Sequence, residues 1–212
     1  MPRLHQVQHP ILLDRITRLR DRTTDQRLFV HLLEEAAFVL AVEATRDLAL
    51  QPVPVVTPLE EAQGPILADS IALVPILRAG LGMLRPFRAL LPQAAVSFVG
   101  ALREEETLEP SIYLDRITPI TRDTCVFLLD PMLATGGTAA AVLTLLRKRG
   151  ASRLRLVCCL ASPEGIRQVH ETHPDAVIYA GAIDRQIDRH GFILPGLGDA
   201  GDRQFGACPT FP

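Results

Sequence analysis

Asp130-Pro131-Met132-Leu133-Ala134-Thr135-Gly136-Gly137-Thr138 is the stretch of this chain whose residue types and spacing could do chemistry. An apolar run, Cys125-Val126-Phe127-Leu128-Leu129, precedes it and reads as a buried strand; residues 139–146 follow and read as a helix. A glycine pair between strand and helix lets the backbone approach an anion closely. The unpaired amides at the start of the helix then converge on the same point, where a phosphate fits. Thr138 can cap the helix or donate its hydroxyl. Asp130 is out of place beside a bare phosphate, which it would repel. It is in place beside a sugar, whose hydroxyls it can accept hydrogen bonds from while the loop holds a 5′-phosphate. A strand, glycine turn and helix packed this way without any ligand is the alternative.

Two arginines have comparable placements. Arg78 lies in Ile76-Leu77-Arg78-Ala79-Gly80-Leu81-Gly82, which follows the apolar run 71–75, and Arg103 follows the run 96–102. Both sit where strands of an open α/β sheet end and ligands bind. Their planar forks suit a polyanionic leaving group, although ordinary surface ion pairs would also account for each one singly. Gly196-Leu197-Gly198-Asp199-Ala200-Gly201 matches the spacing of the dinucleotide fingerprint but lacks its context. That fingerprint joins a first strand to a helix with an acidic residue about twenty positions on, and here only eleven residues remain. A tight turn presenting backbone groups to a planar polar ligand is the better use of these glycines. Neither a P-loop nor a nucleophile elbow is present, so covalent catalysis has no obvious candidate.

These residues need a scaffold. Stretches 11–22 and 25–50 have helical periodicity, with Thr24 offering a start signal and Pro52 and Pro54 ending the run. From Ser70 onward strand-like runs (71–75, 96–102, 124–129, 154–160, 177–179) alternate with helical ones (81–90, 139–149, 163–170), the pattern of a mostly parallel α/β sheet. The polar segment 104–123 is expected to be a mobile hairpin or lid, or else a solvated loop. Residues 186–212, rich in glycine, read as an irregular hood. One domain is expected over 1–212: a helical N-terminal arm (1–52), an α/β core (70–184) and the hood (185–212).

Composition bounds the rest. A length of 212 residues is enough for one sizeable core. A formal charge of −2 argues against a chain whose main business is the nucleic-acid backbone. No apolar run approaches a membrane span and the N-terminus lacks a signal-peptide core, so a cytoplasmic protein without a membrane partner is expected. Cys125, Cys158, Cys159 and Cys208 lack metal-ligand spacing, and the first three lie in apolar runs as small hydrophobes. His170 and His173 are at helical spacing with no third ligand nearby and read as solvent-facing.

Over nearly its full length the chain resembles the bacterial-type uracil phosphoribosyltransferases. The likeness is carried by Glu43-Ala44-Thr45, Val74-Pro75-Ile76-Leu77-Arg78-Ala79-Gly80-Leu81-Gly82-Met83, Glu105-Glu106-Thr107-Leu108-Glu109-Pro110, the 130–138 loop, Pro163-Glu164-Gly165-Ile166 and Pro195-Gly196-Leu197-Gly198-Asp199-Ala200-Gly201-Asp202. The resemblance implies the type I phosphoribosyltransferase fold and transfer of ribose 5-phosphate from phosphoribosyl diphosphate (PRPP) to N1 of uracil. By position, the loop Asp130, Pro131, Met132, Leu133, Ala134, Thr135, Gly136, Gly137 and Thr138 would bind the ribose 5-phosphate. Arg78 and Arg103 would take the diphosphate end. Ile193, Gly198, Asp199 and Ala200 would form the uracil site, with Asp199 also touching PRPP. Asp130, Arg103 and Asp199 are the expected catalytic residues.

Mg²⁺ is implied as cofactor, held mainly through PRPP, with no protein metal site. A homodimer or larger assembly is implied too, and GTP enters as a candidate activator because it activates some relatives. Pro131 stands where many related transferases carry a second acidic residue, and Phe192 where the family is expected to carry tyrosine. The competing readings are transfer to another base, such as xanthine or hypoxanthine, and a nucleotide- and RNA-binding regulator of weak activity.

Overall fold

The computed structural model describes residues 3–103 and 110–206. In chain order the elements are β1 (Leu4–Gln6), α1 (Pro10–Arg20), α2 (Gln26–Ala44), β2 (Leu50–Val56), β3 (Glu61–Leu67), β4 (Ile71–Leu77), α3 (Leu81–Leu90), β5 (Ala95–Val96), β6 (Phe98–Arg103) and β7 (Pro110–Arg116). There follow β8 (Cys125–Leu129), β9 (Met132–Leu133), α4 (Gly137–Lys148), β10 (Arg153–Ala161), α5 (Pro163–Thr172), β11 (Val177–Ile183), β12 (Gln186–Ile187), β13 (Ile193–Leu194) and α6 (Ala200–Phe205). The main sheet runs β1-β11-β10-β8-β4-β6-β7, with β5 against β4 and β9 against β10. Every pairing in it is parallel except β6 with β7.

The central strands are apolar on both faces because both faces are covered. Leu73, Phe127, Leu129, Val157 and Cys159 point to the side packed by α1, α2 and α3. Their neighbours Val74, Val126, Leu128, Leu156 and Cys158 point to the side packed by α4 and α5. Side chains alternate along each strand, so two cores turn the sequence into continuous hydrophobic runs. Each fully buried leucine or phenylalanine contributes roughly 1.5–3 kcal/mol.

Local signals set the helix starts. Asp25 accepts from the Leu28 N–H at 2.8 Å to open α2, and Ser162 accepts from Gly165 N–H at 2.9 Å with Pro163 in the first turn of α5. Four expectations change. The second helix does not reach residue 50: it stops at Ala44, and β2 with β3 forms a separate two-stranded hairpin, its prolines tolerated because it has no inner strand. The N-terminal arm is partly a strand, β1, at the edge of the main sheet. The run 96–102 is broken into β5 and β6. His173 does not face solvent: it is 7% exposed, with Nε2 3.0 Å from both the Ala140 carbonyl and Thr144 Oγ1. A histidine ending α5 is buried here because α4 supplies its polar partners.

Of the polar segment 104–123, residues 104–109 lie outside the described residues, and the remainder begins with β7, antiparallel to β6. Among the described residues no helix is long and apolar enough to cross a membrane.

Candidate active site

Strands β4 and β8 are hydrogen-bonded neighbours with Pro75 opposite Leu129. The chain leaves β4 for α3 on one face of the sheet and leaves β8 for α4 on the other. Divergence of this kind opens a crevice beyond the strand ends, and Arg78 and Asp130 are the residues that follow the two strands there. Gly80 lets the first strand end come close: a Cβ there would lie 2.3 Å from the Leu129 carbonyl oxygen. The Leu77–Arg78 peptide is cis.

The 130–138 loop is clamped from behind. Its short strand β9 pairs with β10, and the Pro131 carbonyl accepts from the Cys159 and Leu160 amides. Ser162 donates its hydroxyl to the Ala134 carbonyl at 2.6 Å and its amide to the Leu133 carbonyl at 2.9 Å. Gly136 caps α4 with φ 83°, a left-handed conformation suited to glycine, and its amide neighbours open a helix toward the crevice. Thr138 lies in that first turn, and the side chain that accepts from the helix start is that of Thr135, whose Oγ1 is 3.4 Å from the Gly137 amide. Asp130 Oδ1 accepts from the Met132 amide at 3.3 Å.

The hood is not wholly irregular. Strands β12 and β13 form a small antiparallel ladder, Leu194–Pro195 is cis, Gly196 and Gly198 have φ of 63° and 81°, and Asp199 caps α6 by accepting from Asp202 N–H at 2.8 Å. Arg203 ties this helix to the N-terminal ones, donating to the carbonyls of Leu197, Asp21 and Thr24 and stacking 4.3 Å over Phe29. Buried Gln204 donates to the carbonyls of Ala79 and Ala200, bridging the β4–α3 turn and α6. Gly82 makes room for it, since a Cβ there would sit 2.0 Å from Gln204 Oε1.

Two adjoining cavities result. One of about 470 Å³ is lined by Arg78, Tyr113, Asp130, Met132, Leu133, Ala134, Thr135, Gly136, Thr138 and Asp199 among others. The other, of about 750 Å³, is lined by Arg189, His190, Phe192, Ile193, Gly198, Asp199 and Ala200, and it also touches Met132, Ala134 and Thr138. Asp199 faces both. The loop residues and Arg78 therefore gather on one cavity and Ile193, Gly198 and Ala200 on the other. Pro131 is buried behind the loop and Gly137 opens α4; neither is among the residues lining these two cavities. Arg103 ends β6, beside β4, and its side chain lies outside the described residues.

Sequence reasoning did not reach Tyr113, Arg189 and His190 on the cavity walls, nor Asp202, which holds Arg78. Tyr113 had one available signal: Gly100 on the facing strand leaves a gap, and a Cβ there would lie 2.4 Å from the tyrosine ring. The thiols behind the site are not nucleophiles. Burial, reinforced by the charge of Asp130, pushes Cys159 up to about 12 and Cys158 well above its usual range.

A doubly covered parallel sheet, an acidic strand end, a glycine loop opening a helix and a hood over the crevice together define a type I phosphoribosyltransferase. The fold recurs at low identity in a purine phosphoribosyltransferase of Pyrococcus horikoshii (15% identical, TM-score 0.50, covering 73% of this chain and 83% of that one). It is far nearer in the AQ2163 protein of Aquifex aeolicus (35% identical, TM-score 0.92, covering 96% and 98%). The family model "Uracil phosphoribosyltransferase" matches residues 6–207. Proteins described as uracil phosphoribosyltransferase from Clostridium tetani and Clostridium perfringens are 45% and 44% identical over 207 residues, 97% of this chain and 99% of each relative. This chain belongs to the uracil phosphoribosyltransferase family.

Proposed function

We infer that the protein transfers ribose 5-phosphate from PRPP to N1 of uracil, giving UMP and diphosphate in pyrimidine salvage. The observation that carries the reading is the pair of adjoining cavities with Asp199 between them, one edged by the phosphate loop and Arg78, the other by residues of the hood. On this reading the amides at Thr135–Thr138 and the start of α4 hold the 5′-phosphate, and Asp130 accepts from the ribose hydroxyls. As the anomeric bond breaks, positive charge grows on the ribose ring, and the Asp130 carboxylate favours it. Arg78 and Arg103 take up the charge of the departing diphosphate. No covalent nucleophile is required.

Asp130 and Asp199 put single carboxylates on the cavities, a donor set that suits Mg²⁺ completed by substrate phosphate oxygens and water. When bound, the ion would neutralise diphosphate charge. Uracil alternates carbonyl and N–H groups, which backbone of Ile193, Gly198, Asp199 and Ala200 can pair; cytosine would set donor against donor, at roughly 1–3 kcal/mol if buried. The strand pair β6 and β7 carries Tyr113 to the PRPP side, where exclusion of water from the anomeric carbon would protect PRPP from hydrolysis.

We place the protein in the cytoplasm as a homodimer or larger assembly. Supporting self-association, the β2–β3 hairpin exposes Val55, Val56, Leu59, Ile66 and Leu67 on one projecting element. The deciding experiment is UMP formation from labelled uracil, with PRPP, Mg²⁺ and GTP each omitted in turn and xanthine and hypoxanthine as competitors. Uracil- and PRPP-dependent UMP supports the reading; RNA retention on filters without UMP synthesis defeats it.

A further inference from the structure

We propose that Arg20 and Asp184, which line neither cavity, are positioning residues for uracil selection, because together they grip both polar groups of Gly196 in the turn that presents the base-binding backbone. This rests on the reading that uracil pairs with the 193–200 segment. Asp184 follows β11 and is anchored to the sheet through its own amide, which donates to the Ala161 carbonyl at 2.8 Å. Its side chain is 5% exposed. Oδ1 accepts from Arg20 Nη2 at 2.6 Å; Oδ2 accepts from Arg20 Nη1 at 2.7 Å and from the Gly196 amide at 2.9 Å. Arg20 Nη1 also donates to the Gly196 carbonyl at 2.9 Å.

A pair that served only to dock α1 on the sheet would need the arginine and the carboxylate alone. Here each partner spends a further bond on the same residue of the hood. Gly196 is where that matters: with φ 63° it folds the chain back so closely that a Cβ would lie 2.1 Å from the Ile193 carbonyl oxygen. The turn therefore fixes Ile193 on one side against Gly198 and Asp199 on the other, and a small rotation of the Gly196 peptide would re-aim the groups meant to read the base. Arg20 is the last residue of α1, itself held by buried Leu12, Ile16 and Leu19, so the reference frame for the turn is the core. Lysine cannot reproduce the grip, since one ammonium does not span Asp184 and the Gly196 carbonyl with a planar fork.

The test compares steady-state kinetics of Arg20→Lys with wild type, alongside calorimetric titration of PRPP in the absence of uracil. The expected result is a uracil KM raised by roughly tenfold or more, kcat within about threefold, and unchanged PRPP affinity. Asp69→Asn, which breaks a different ion pair far from the hood, is the stability control: it should lower Tm without moving the uracil KM. Should Arg20→Lys not fold, the double variant Arg20→Gln, Asp184→Asn, which leaves no unpaired buried charge, carries the same test. A folded variant with the wild-type uracil KM, or one in which uracil and PRPP weaken together, overturns the proposal. Gly198→Ala separates the two levels. If it leaves the uracil KM unchanged, the base-site reading itself fails; if it raises that KM while Arg20→Lys does not, only the positioning role fails.

Discussion

Arg78 and Asp202 are ion-paired across the mouth of the crevice, Nη2 to Oδ1 at 2.7 Å, so the arginine that follows β4 is held by the helix that carries the hood. Both side chains are about two-fifths exposed, and such a pair adds little to stability. Its effect is on charge: Asp202 offsets the arginine before any anion arrives. Asp202→Asn should keep the shape, leave Tm within about 1 °C, and tighten diphosphate binding by roughly threefold to tenfold. Product-inhibition kinetics check this, and weaker diphosphate binding would mean that Asp202 matters more for aiming the guanidinium than for neutralising it.

Asp130→Asn tests the ribose role. The amide oxygen can still accept from the Met132 N–H, now at 3.3 Å from the carboxylate, so the loop should survive and Tm should change little. The charge facing the ribose is lost, and kcat should fall by roughly 10²–10³. Turnover near that of wild type, measured beside thermal unfolding, would remove Asp130 from the proposed role.

Legibility in the sequence followed the range of the interactions. The core strands could be read because burial on both faces makes uninterrupted apolar runs, and α3 emerged at its observed bounds, Leu81–Leu90. The 130–138 loop was legible because strand, glycine turn and helix are contiguous. Arg78 with Asp202 was not, its partners lying 124 residues apart, nor was Arg20 with Asp184 across 164. The β2–β3 hairpin escaped notice for the opposite reason: its strands are mostly exposed and broken by Pro52, Pro54 and Pro65, so neither alternation nor an apolar run marks them. His173 was misjudged because a histidine's burial depends on the partners offered by another helix.

Asp69 should contribute stability at neutral pH that is lost in acid. The Arg153 guanidinium, and secondarily the Ala49 amide, hold its carboxyl below the usual range. A depressed folded-state value means the stabilisation is complete above the unfolded value near 3.9, and is lost as pH falls from there through the folded one. The difference in stability between wild type and Asp69→Asn should then be about 1 kcal/mol at neutral pH, discounted for the partly exposed arginine, and shrink below about pH 4. Thermal unfolding across that range checks it; a gap that widens on acidification would reverse the assignment.

Cys125, Cys158 and Cys159 are fully buried and free, and burial raises all three thiols. Little thiolate exists at neutral pH, and reagent cannot reach what there is. In native protein, alkylation followed by peptide mass spectrometry should find these three unmodified over hours, and labelling should appear only with denaturant. Rapid native labelling of the Cys158-Cys159 peptide would show that β10 opens.

Gly165→Ala makes the sharpest test of how the phosphate loop is held. On helix propensity alone, alanine in α5 should stabilise by about 1 kcal/mol. Gly165 is, however, the point where α5 meets the loop: an added Cβ would lie 2.5 Å from the Ala134 carbonyl oxygen and 2.8 Å from that of Leu133. Both are backbone atoms of a segment also tied to Ser162, so the contact is relieved only by moving the loop toward the crevice. Overpacking of this kind costs roughly 1–3 kcal/mol, which outweighs the propensity gain. The variant should unfold at lower temperature and show a higher PRPP KM with little change in uracil KM, because the atoms nearest the added Cβ are those of Leu133 and Ala134 in the loop. Unaltered PRPP kinetics in a variant destabilised as expected would place the 5′-phosphate away from this loop.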